Sequence, residues 1–381
     1  MKKLIIILIL FSAVGIVYSK RPLTDFYEKQ TLQTVHDSKF TELLDSLRDA
    51  ENLPALACAI VSDSGIINAE AVGCRRSGGA ENVTNNDQFH LGSNTKAFTA
   101  VLIGMLVDES LLTWDTTLLS IFPEYSGIMH PEYRSVTVRD LLSHSAGFIA
   151  NPSVTLKSNN VKDQRTEVVV WALMQPPACT RGQFLYSNLG FIIAGAIIDK
   201  ITNRTYEDLL MERVIKPLGI TTAGFGPMGT VGLEDQPLQH SAEYKPVEPD
   251  ANADNPPIYN SAGRLHMSVG DWGKYIQWVL ACESGNVRLL KPETARTLTK
   301  GVTPMPGEGM YALGWTILDR PWANGRVLTH SGSNTMNFAV AWLAPNRKFA
   351  VLAETNICAG TTPGAMDAVI GRLIKYYLNE K

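Results

Sequence analysis

The sequence predicts an α+β fold, in which an antiparallel sheet is flanked by an N-terminal and a C-terminal helix and a large, mainly helical region is inserted between its strands. Three observations predict it. Strand-like runs gather near the two ends of the 381-residue chain, and each group of runs adjoins a helical pattern. The intervening region, about 91–324, has most of its apolar residues at helical spacing.

The N-terminal group begins with an amphipathic helical pattern at 38–52, where apolar residues recur every three or four positions. Two β-rich runs follow, at 55–63 and 66–73, and a Ser-Gly pair separates them. This order predicts a helix followed by a β-hairpin.

The C-terminal group contains three strand-like runs, at 326–332, 337–344 and 348–355. A helical pattern at 364–379 follows them, and its charged residues make it amphipathic instead of membrane-spanning. We expect both groups to form one sheet, with the first and the last helix on the same face of it.

The inserted region separates a sheet part at about 20–90 from its continuation at about 325–381. Helical spacing within the insertion occurs at 94–111, 137–143, 189–202, 205–215 and 271–284. Two irregular stretches, 148–184 and 222–262, are rich in Pro, Gly, Asn and Asp. Loops of that length are usually functional or disordered, so we expect these two to shape substrate specificity.

Residues 1–19 carry the features of a secretory signal peptide, with two lysines, an apolar run and small residues at Val17 and Ser19. We expect cleavage after Ser19, export to the periplasm or the outside of the cell, and one mature domain at 20–381. The alternative is an uncleaved membrane anchor, but the apolar run is shorter than the ~20 residues that a spanning helix needs. No membrane-spanning segment is expected after cleavage.

The composition argues against several classes of partner. The formal charge is −3, or −5 without the two leader lysines, so neither nucleic acid nor an anionic membrane is expected as a partner. An exported protein meets an oxidising compartment, where its five cysteines could form at most two disulfides. The sequence has no HExxH motif and no Cys/His cluster, so we expect neither a metal nor another cofactor. The oligomeric state stays open.

The first candidate for chemistry is the segment HLGSNTKA at 90–97, where Ser93 and Lys96 stand one helical turn apart at the start of an apolar helical pattern. Free backbone N–H groups and the helix dipole favour negative charge at such a position. A lysine on the same face can activate the serine hydroxyl as a nucleophile, and Gly92 lets the chain turn sharply. The alternative is that Ser93 only caps the helix and Lys96 is a solvated charge.

The second candidate is a Tyr-x-Asn pattern at 186–188, directly before another apolar helical pattern. Tyr186 stands in a glycine-bounded loop, where catalytic groups are commonly presented by a rigid scaffold. The same pattern recurs at 377–379, inside the C-terminal helical pattern, where we expect a surface position.

The third candidate is His330, in the run THSGSN at 329–334 on a predicted strand. Alternation places His330 and Gly332 on one face, and we expect the glycine to leave room for a substrate along the strand. A histidine changes its charge near pH ~6.5, so His330 could bind a substrate carboxylate when it is protonated. The alternative is a structural histidine.

Together and in this order, the three elements resemble the motifs of the serine penicillin-recognising hydrolases, which include class C β-lactamases, serine D-Ala-D-Ala carboxypeptidases and related esterases. Those motifs are Ser-x-x-Lys, Tyr-x-Asn, and Lys-Thr-Gly or His-x-Gly. Connecting segments at 137–148, 186–220 and 260–277 are also similar to that family. The resemblance covers nearly all of the mature chain and implies a β-lactamase/transpeptidase-like fold.

The resemblance also implies roles for individual residues. Ser93 would attack an amide or ester carbonyl and form an acyl-enzyme, with Lys96 and Tyr186 sharing the proton transfer. The backbone N–H groups of Ser93 and Ser333 would bind the oxyanion, and Asn188 would hold Lys96 or the substrate. Which of Lys96 and Tyr186 is the general base stays open.

Class C β-lactamases commonly carry lysine where this chain has His330, which favours the peptidase and esterase branches. The leading prediction is therefore an exported serine hydrolase that cleaves a D-amino-acid peptide, another amide or an ester. The alternatives are a true class C-like β-lactamase, or a catalytically slow sensor that binds cell-wall peptides. An α/β-hydrolase is not expected, because the sequence has no G-x-S-x-G elbow.

Overall fold

The strands form one large sheet and two small ones in the computed structural model, which describes residues 37–379. The expected signal peptide at 1–19 lies outside the described residues. In chain order the strands are β1 (Ala55–Ser62), β2 (Ile66–Gly73), β3 (Phe89–His90), β4 (Gly224–Phe225), β5 (Gln239–His240), β6 (Pro246–Val247), β7 (Leu265–Met267), β8 (Thr303–Pro304), β9 (Met310–Tyr311), β10 (Thr316–Arg320), β11 (Gly325–Ser333), β12 (Phe338–Ala344) and β13 (Phe349–Thr355).

The large sheet is antiparallel throughout and has the order β2-β1-β13-β12-β11-β10-β9-β8. It joins the N-terminal hairpin to the C-terminal strands, as the sequence predicts. The C-terminal part of the sheet begins earlier in the sequence than the expected boundary at 325, because β8, β9 and β10 lie at 303–320. Strands of two to five residues show too little alternation to be read from the sequence.

The α-helices of the described residues are α1 (Ser38–Ala50), α2 (Thr95–Asp108), α3 (Leu118–Ile121), α4 (Val138–Leu142), α5 (Val161–Met174), α6 (Asn188–Thr202), α7 (Tyr206–Leu210), α8 (Asn260–Gly263), α9 (Val269–Glu283), α10 (Pro292–Leu298) and α11 (Thr362–Leu378). Helix α5 lies inside the stretch 148–184, which we expected to be irregular. Its apolar residues form no strong one-sided stripe, so the sequence pattern hides it.

The two faces of the large sheet bury separate cores. Helices α1 and α11 pack on one face, here called the outer face, against residues such as Leu56 and Ile60 of β1. The alternate residues Ala57 and Ala59 point to the inner face, where α9 and the inserted helices pack. The prediction that the first and last helices share one face is confirmed. The second Tyr-x-Asn pattern, at 377–379, begins on α11, where Tyr377 stacks on Phe349.

A small sheet of β3, β7 and β4 brings the start of the inserted region to the inner face of the large sheet. It places the segment after β3, which contains Ser93, beside the segment before β7, which contains Ala262. The five cysteines all lie within the described residues, and each is a free thiol. Within residues 37–379 no helix combines the length and the apolar character needed to cross a bilayer.

Candidate active site

Ser93 lies on a single 3-10 turn, Gly92–Asn94, between β3 and α2. We call this segment the nucleophile turn. The N-cap residue of α2 is Asn94, and no side chain caps the helix there. The hydroxyl of Ser93 is therefore not engaged as a helix cap, which removes the simplest structural interpretation of this serine.

Lys96 lies two residues after the end of the nucleophile turn, and its side chain is fully buried. Its Nζ is 3.0 Å from Ser93 Oγ and 2.7 Å from each of two oxygens, Asn188 Oδ1 and the backbone carbonyl of Ala262. The pKa of Lys96 is lowered well below its ordinary value of 10.5, because burial penalises the charged form. The interpretation of Lys96 as a solvated surface charge is wrong.

Tyr186 and Asn188 reach the same place from the start of α6. Ser187 caps this helix, since its Oγ accepts the Gly190 N–H at 3.0 Å, and the cap fixes the residues on either side of it. The Tyr186 hydroxyl is hydrogen-bonded to the Ser93 side chain, and the Lys96 Nζ lies 4.9 Å from the Tyr186 ring centre. Burial raises the pKa of Tyr186 above its ordinary value of 10, although the Ser93 contact opposes the shift.

The end of β11 packs directly against the nucleophile turn through two glycines. A Cβ on Gly332 would lie 2.1 Å from the Leu91 carbonyl oxygen and 2.4 Å from the Ser93 nitrogen. A Cβ on Gly92, whose φ is +51°, would lie 2.3 Å from the Ser333 nitrogen. The space beside Gly332 is therefore filled by the nucleophile turn, and not by a substrate as we expected from the sequence. This contact brings the backbone nitrogens of Ser93 and Ser333 to one junction.

We expect Gly332→Ala to slow acylation of Ser93 and to lower the free energy of unfolding by about 1–3 kcal/mol, because the added methyl group must push the strand away from the turn. Chemical unfolding and the rate of covalent labelling at Ser93 measure the two effects. Gly371→Ala on α11 is the matched control, since a Cβ there meets nothing within 4 Å. Unchanged labelling in the Gly332 variant would show that the close contact is dispensable.

His330 lies on β11 with its ring centre 6.4 Å from that of Tyr186. Its Nδ1 is 2.7 Å from the Ser331 carbonyl oxygen, and its Nε2 is 3.0 Å from the Tyr311 hydroxyl. Because a carbonyl only accepts, Nδ1 donates to it and the Tyr311 hydroxyl donates to Nε2. Both ring nitrogens therefore have partners within the protein.

The expected charge on His330 near neutral pH needs correction. Burial first, and the nearby Lys96 second, lower the pKa of His330 to about 3. The ring is neutral at physiological pH, so in this structure it does not supply a cation for a substrate carboxylate. Sequence alone showed the residue type but not its depth of burial.

Two further side chains of the site were missed in the sequence. His144 lies 4.2 Å from Tyr186, between ring centres, and its Nδ1 accepts the Ser187 N–H at 3.1 Å. Tyr311 lies 4.5 Å from His144, again between ring centres, and binds His330. His144 lies in the segment 137–148, whose similarity to the family could have indicated it from the sequence. Tyr311 lies on a two-residue strand, where the sequence pattern gives no such indication.

A buried carboxylate ties several parts of the site together. Asp254 Oδ2 is 2.9 Å from His90 Nε2 and 3.2 Å from Arg264 Nε, and Asp254 Oδ1 is 3.3 Å from Asn334 Nδ2. The three partners come from different segments. His90 precedes the nucleophile turn, Arg264 follows Ala262, and Asn334 follows Ser333. The irregular stretch 222–262 thus contributes the anchor that holds the three segments in register.

The described residues contain no group of three or more His, Cys, Asp or Glu side chains that could hold a metal ion. Among the described residues, the hydrogen bonds of the Ser93, Asn188, His330 and Ser333 side chains involve one cationic side chain, that of Lys96, while Arg264 pairs with Asp254. The contact between the buried Lys96 amine and Ser93 Oγ can support attack by the serine.

Comparison with known proteins agrees with this geometry. A family model described as Beta-lactamase matches residues 40–374. The chain belongs to the beta-lactamase family. It is thus a member of a superfamily of serine hydrolases.

This beta-lactamase family member is similar in sequence to a hydrolase and to a penicillin-binding protein. An unguisins hydrolase (ungD') of Aspergillus campestris is 25% identical over 342 residues, which cover 84% of this chain and 61% of that protein. Penicillin-binding protein 4 of Amycolatopsis lactamdurans is 29% identical over 180 residues, which cover 47% of this chain and 46% of that protein. The chain spans less than two thirds of the length of either relative.

Solved structures confirm the β-lactamase/transpeptidase-like fold of this family member. The octameric penicillin-binding protein homologue of Pyrococcus abyssi matches with a TM-score of 0.71 at 21% identity, covering 90% of this chain and 78% of that one. SurE, solved with D-Leu, matches with a TM-score of 0.72 at 20% identity, covering 90% of this chain and 76% of that one.

Proposed function

We propose that this protein is an exported serine hydrolase that forms an acyl-enzyme on Ser93 and cleaves an amide or ester bond. The observation that carries the proposal is the 3.0 Å contact between Lys96 Nζ and Ser93 Oγ inside a buried site. A hydrolase and a penicillin-binding protein among the relatives support the same class of reaction.

Lys96 is the general base in this proposal. A neutral amine has two hydrogens and one lone pair. Two carbonyl oxygens, of Asn188 and Ala262, lie 2.7 Å from Nζ and can take the two hydrogens. The lone pair is then left for the Ser93 hydroxyl, whose proton moves to Nζ as Oγ attacks the carbonyl carbon.

Tyr186 is the hydrogen-bond donor and proton carrier, because burial keeps its hydroxyl protonated. It can pass a proton to the leaving group and recover one from Lys96. The negative charge on the carbonyl oxygen is stabilised by the backbone N–H groups of Ser93 and Ser333, at roughly 3 kcal/mol for each donor. Water then attacks the acyl-enzyme and Lys96 again takes the proton; as the bond between the acyl carbon and Ser93 Oγ breaks, Lys96 returns that proton to Oγ and the acid product leaves.

The substrate class that we propose is a neutral ester or a peptide amide, including D-amino-acid peptides. The neutral state of His330 supports it, because the site then lacks the permanent cation that a lysine would provide for a β-lactam carboxylate. A class C-like β-lactamase and a slow cell-wall-peptide sensor are the competing functions.

Incubation of the protein with a labelled penicillin, a chromogenic ester and a D-amino-acid peptide separates the three functions. Turnover of the ester or the peptide supports the proposal. Rapid turnover of penicillin supports the β-lactamase, and a trapped penicillin label without turnover of any compound supports the sensor. Mass spectrometry of the trapped protein must find the label on Ser93.

We expect the KM for a carboxylate-bearing substrate to stay flat from pH ~5 to ~8, as it does for the matching neutral ester, because His330 is neutral throughout this range. The measurement is the pH profile of KM for the two substrates. Weaker binding of the carboxylate alone as the pH rises through ~6.5 would show that His330 gains a proton when the substrate binds.

Export is a separate part of the proposal and rests on the leader sequence. We expect a mature amino terminus at or near Lys20. Amino-terminal sequencing of the protein from its native host tests this, and a full-length chain in the membrane fraction would contradict it.

A further inference from the structure

Glu354 on β13 is a buried acid that the proposed reaction does not use. Its side chain is fully buried, and neither carboxyl oxygen has a hydrogen-bond partner among residues 37–379. Asn94, the last residue of the nucleophile turn, also has an unpaired acceptor, since its Oδ1 is buried and has no hydrogen-bond partner in the described part of the chain. Leaving such acceptors unpaired in a core is costly, so both require an explanation.

The register of the sheet and a hydrogen bond place both residues next to Ala339. Glu354 stands opposite Ala339 on the neighbouring strand β12, and the Asn94 side chain donates to the Ala339 carbonyl oxygen at 3.2 Å. Alternation along β13 puts Glu354 on the inner face, the same side as Leu352, and the nucleophile turn packs on that face. Cross-strand neighbours on one face have their Cβ atoms only ~5 Å apart.

The orientation of the Asn94 amide is determined by its other partners. Its Nδ2 lies 2.9 Å from the Leu91 carbonyl oxygen as well as 3.2 Å from that of Ala339. Both partners only accept, so the nitrogen must face them and Oδ1 must face away. Asn94 Oδ1 and an ionised Glu354 would then be acceptors without a hydrogen between them.

We propose that Glu354 keeps its proton and donates it to Asn94 Oδ1, and that this bond holds the nucleophile turn against the sheet. One hydrogen then joins two of the three orphan oxygens, one of Glu354 and Oδ1 of Asn94. Glu354 is thus a positioning residue for Ser93, a role that rests on the proposed function. Burial raises the pKa of Glu354 well above its ordinary value of 4.5, which is consistent with a retained proton.

Three substitutions in the full chain test the role. Glu354→Gln keeps the size and offers an N–H donor, so we expect Ser93 to react with a fluorophosphonate probe within about threefold of the wild-type rate. Glu354→Met keeps the length without a donor, and we expect the rate to fall about tenfold, with kcat falling more than KM rises. Leu352→Met, one pleat away on the same face, is the control and should react like the wild type.

Infrared spectroscopy provides a readout that does not depend on activity. A carbonyl band of a protonated carboxyl group is expected in the wild type at neutral pH and should be missing in Glu354→Gln. Absence of the band in the wild type, or equal labelling rates in the Gln and Met variants, would overturn the proposal. If the wild type does not react with the probe at all, the proposed function fails, while the infrared comparison still decides whether Glu354 keeps its proton.

Discussion

Ser93→Ala is expected to abolish turnover of esters and peptides and to remove covalent labelling by acylating probes. The substitution deletes the only atom that we propose forms the acyl bond, so turnover should fall by about 10⁴-fold or more. The fold should remain intact, because no side chain caps α2 and the Ser93 side chain is not part of the core. Initial rates and mass spectrometry of the labelled protein measure the result.

Ser331→Ala is the matched control for this prediction. Ser331 follows His330 on β11, but its side chain is exposed on the opposite face from Gly332. We expect this variant to keep full activity and full labelling. A label that persists in Ser93→Ala, on Ser331 or on Ser145, would show that another serine is the nucleophile.

Lys96→Met is expected to lower kcat by at least ~10²-fold, because it removes the proposed general base while nearly preserving the side-chain volume. The carbonyl oxygens of Asn188 and Ala262 lose a buried donor, so the free energy of unfolding should also fall, by about 1–3 kcal/mol. Lys200→Met is the control, since Lys200 lies at the surface, where it forms an ion pair with Glu124 worth about 0–1 kcal/mol and lies 5.5 Å from the Phe122 ring centre. Wild-type rates in the Lys96 variant would move the role of base to Tyr186.

The pH dependence gives Lys96 a second test. The neutral amine is the active form, so kcat/KM should rise with pH through the lowered pKa of Lys96, well below 10.5. Stability should change in the same direction. Between the folded pKa and 10.5 the unfolded chain binds a proton on Lys96 that the folded chain does not, so the free energy of unfolding rises with pH. Lys96→Met should flatten both profiles in this window.

The main features of the fold could be predicted because their signals are local. The alternation of β1 and β2 and of β11 to β13, and the apolar spacing of α1, α2, α6, α9 and α11, lie in continuous segments of the sequence. The candidate motifs were equally visible, since Ser93 and Lys96 lie one turn apart on one helix start. Tyr186 and Asn188 likewise flank one capping residue.

Other features depend on contacts between distant segments. The neutral state of His330 follows from burial beside Tyr311 and Lys96, and the need for glycine at 332 follows from the nucleophile turn packed against it. The sequence determined by itself which residue types stand at which helix starts and strands. Only the tertiary structure decided their charge, their partners and the space around them, because burial and desolvation arise when segments far apart in the chain pack together.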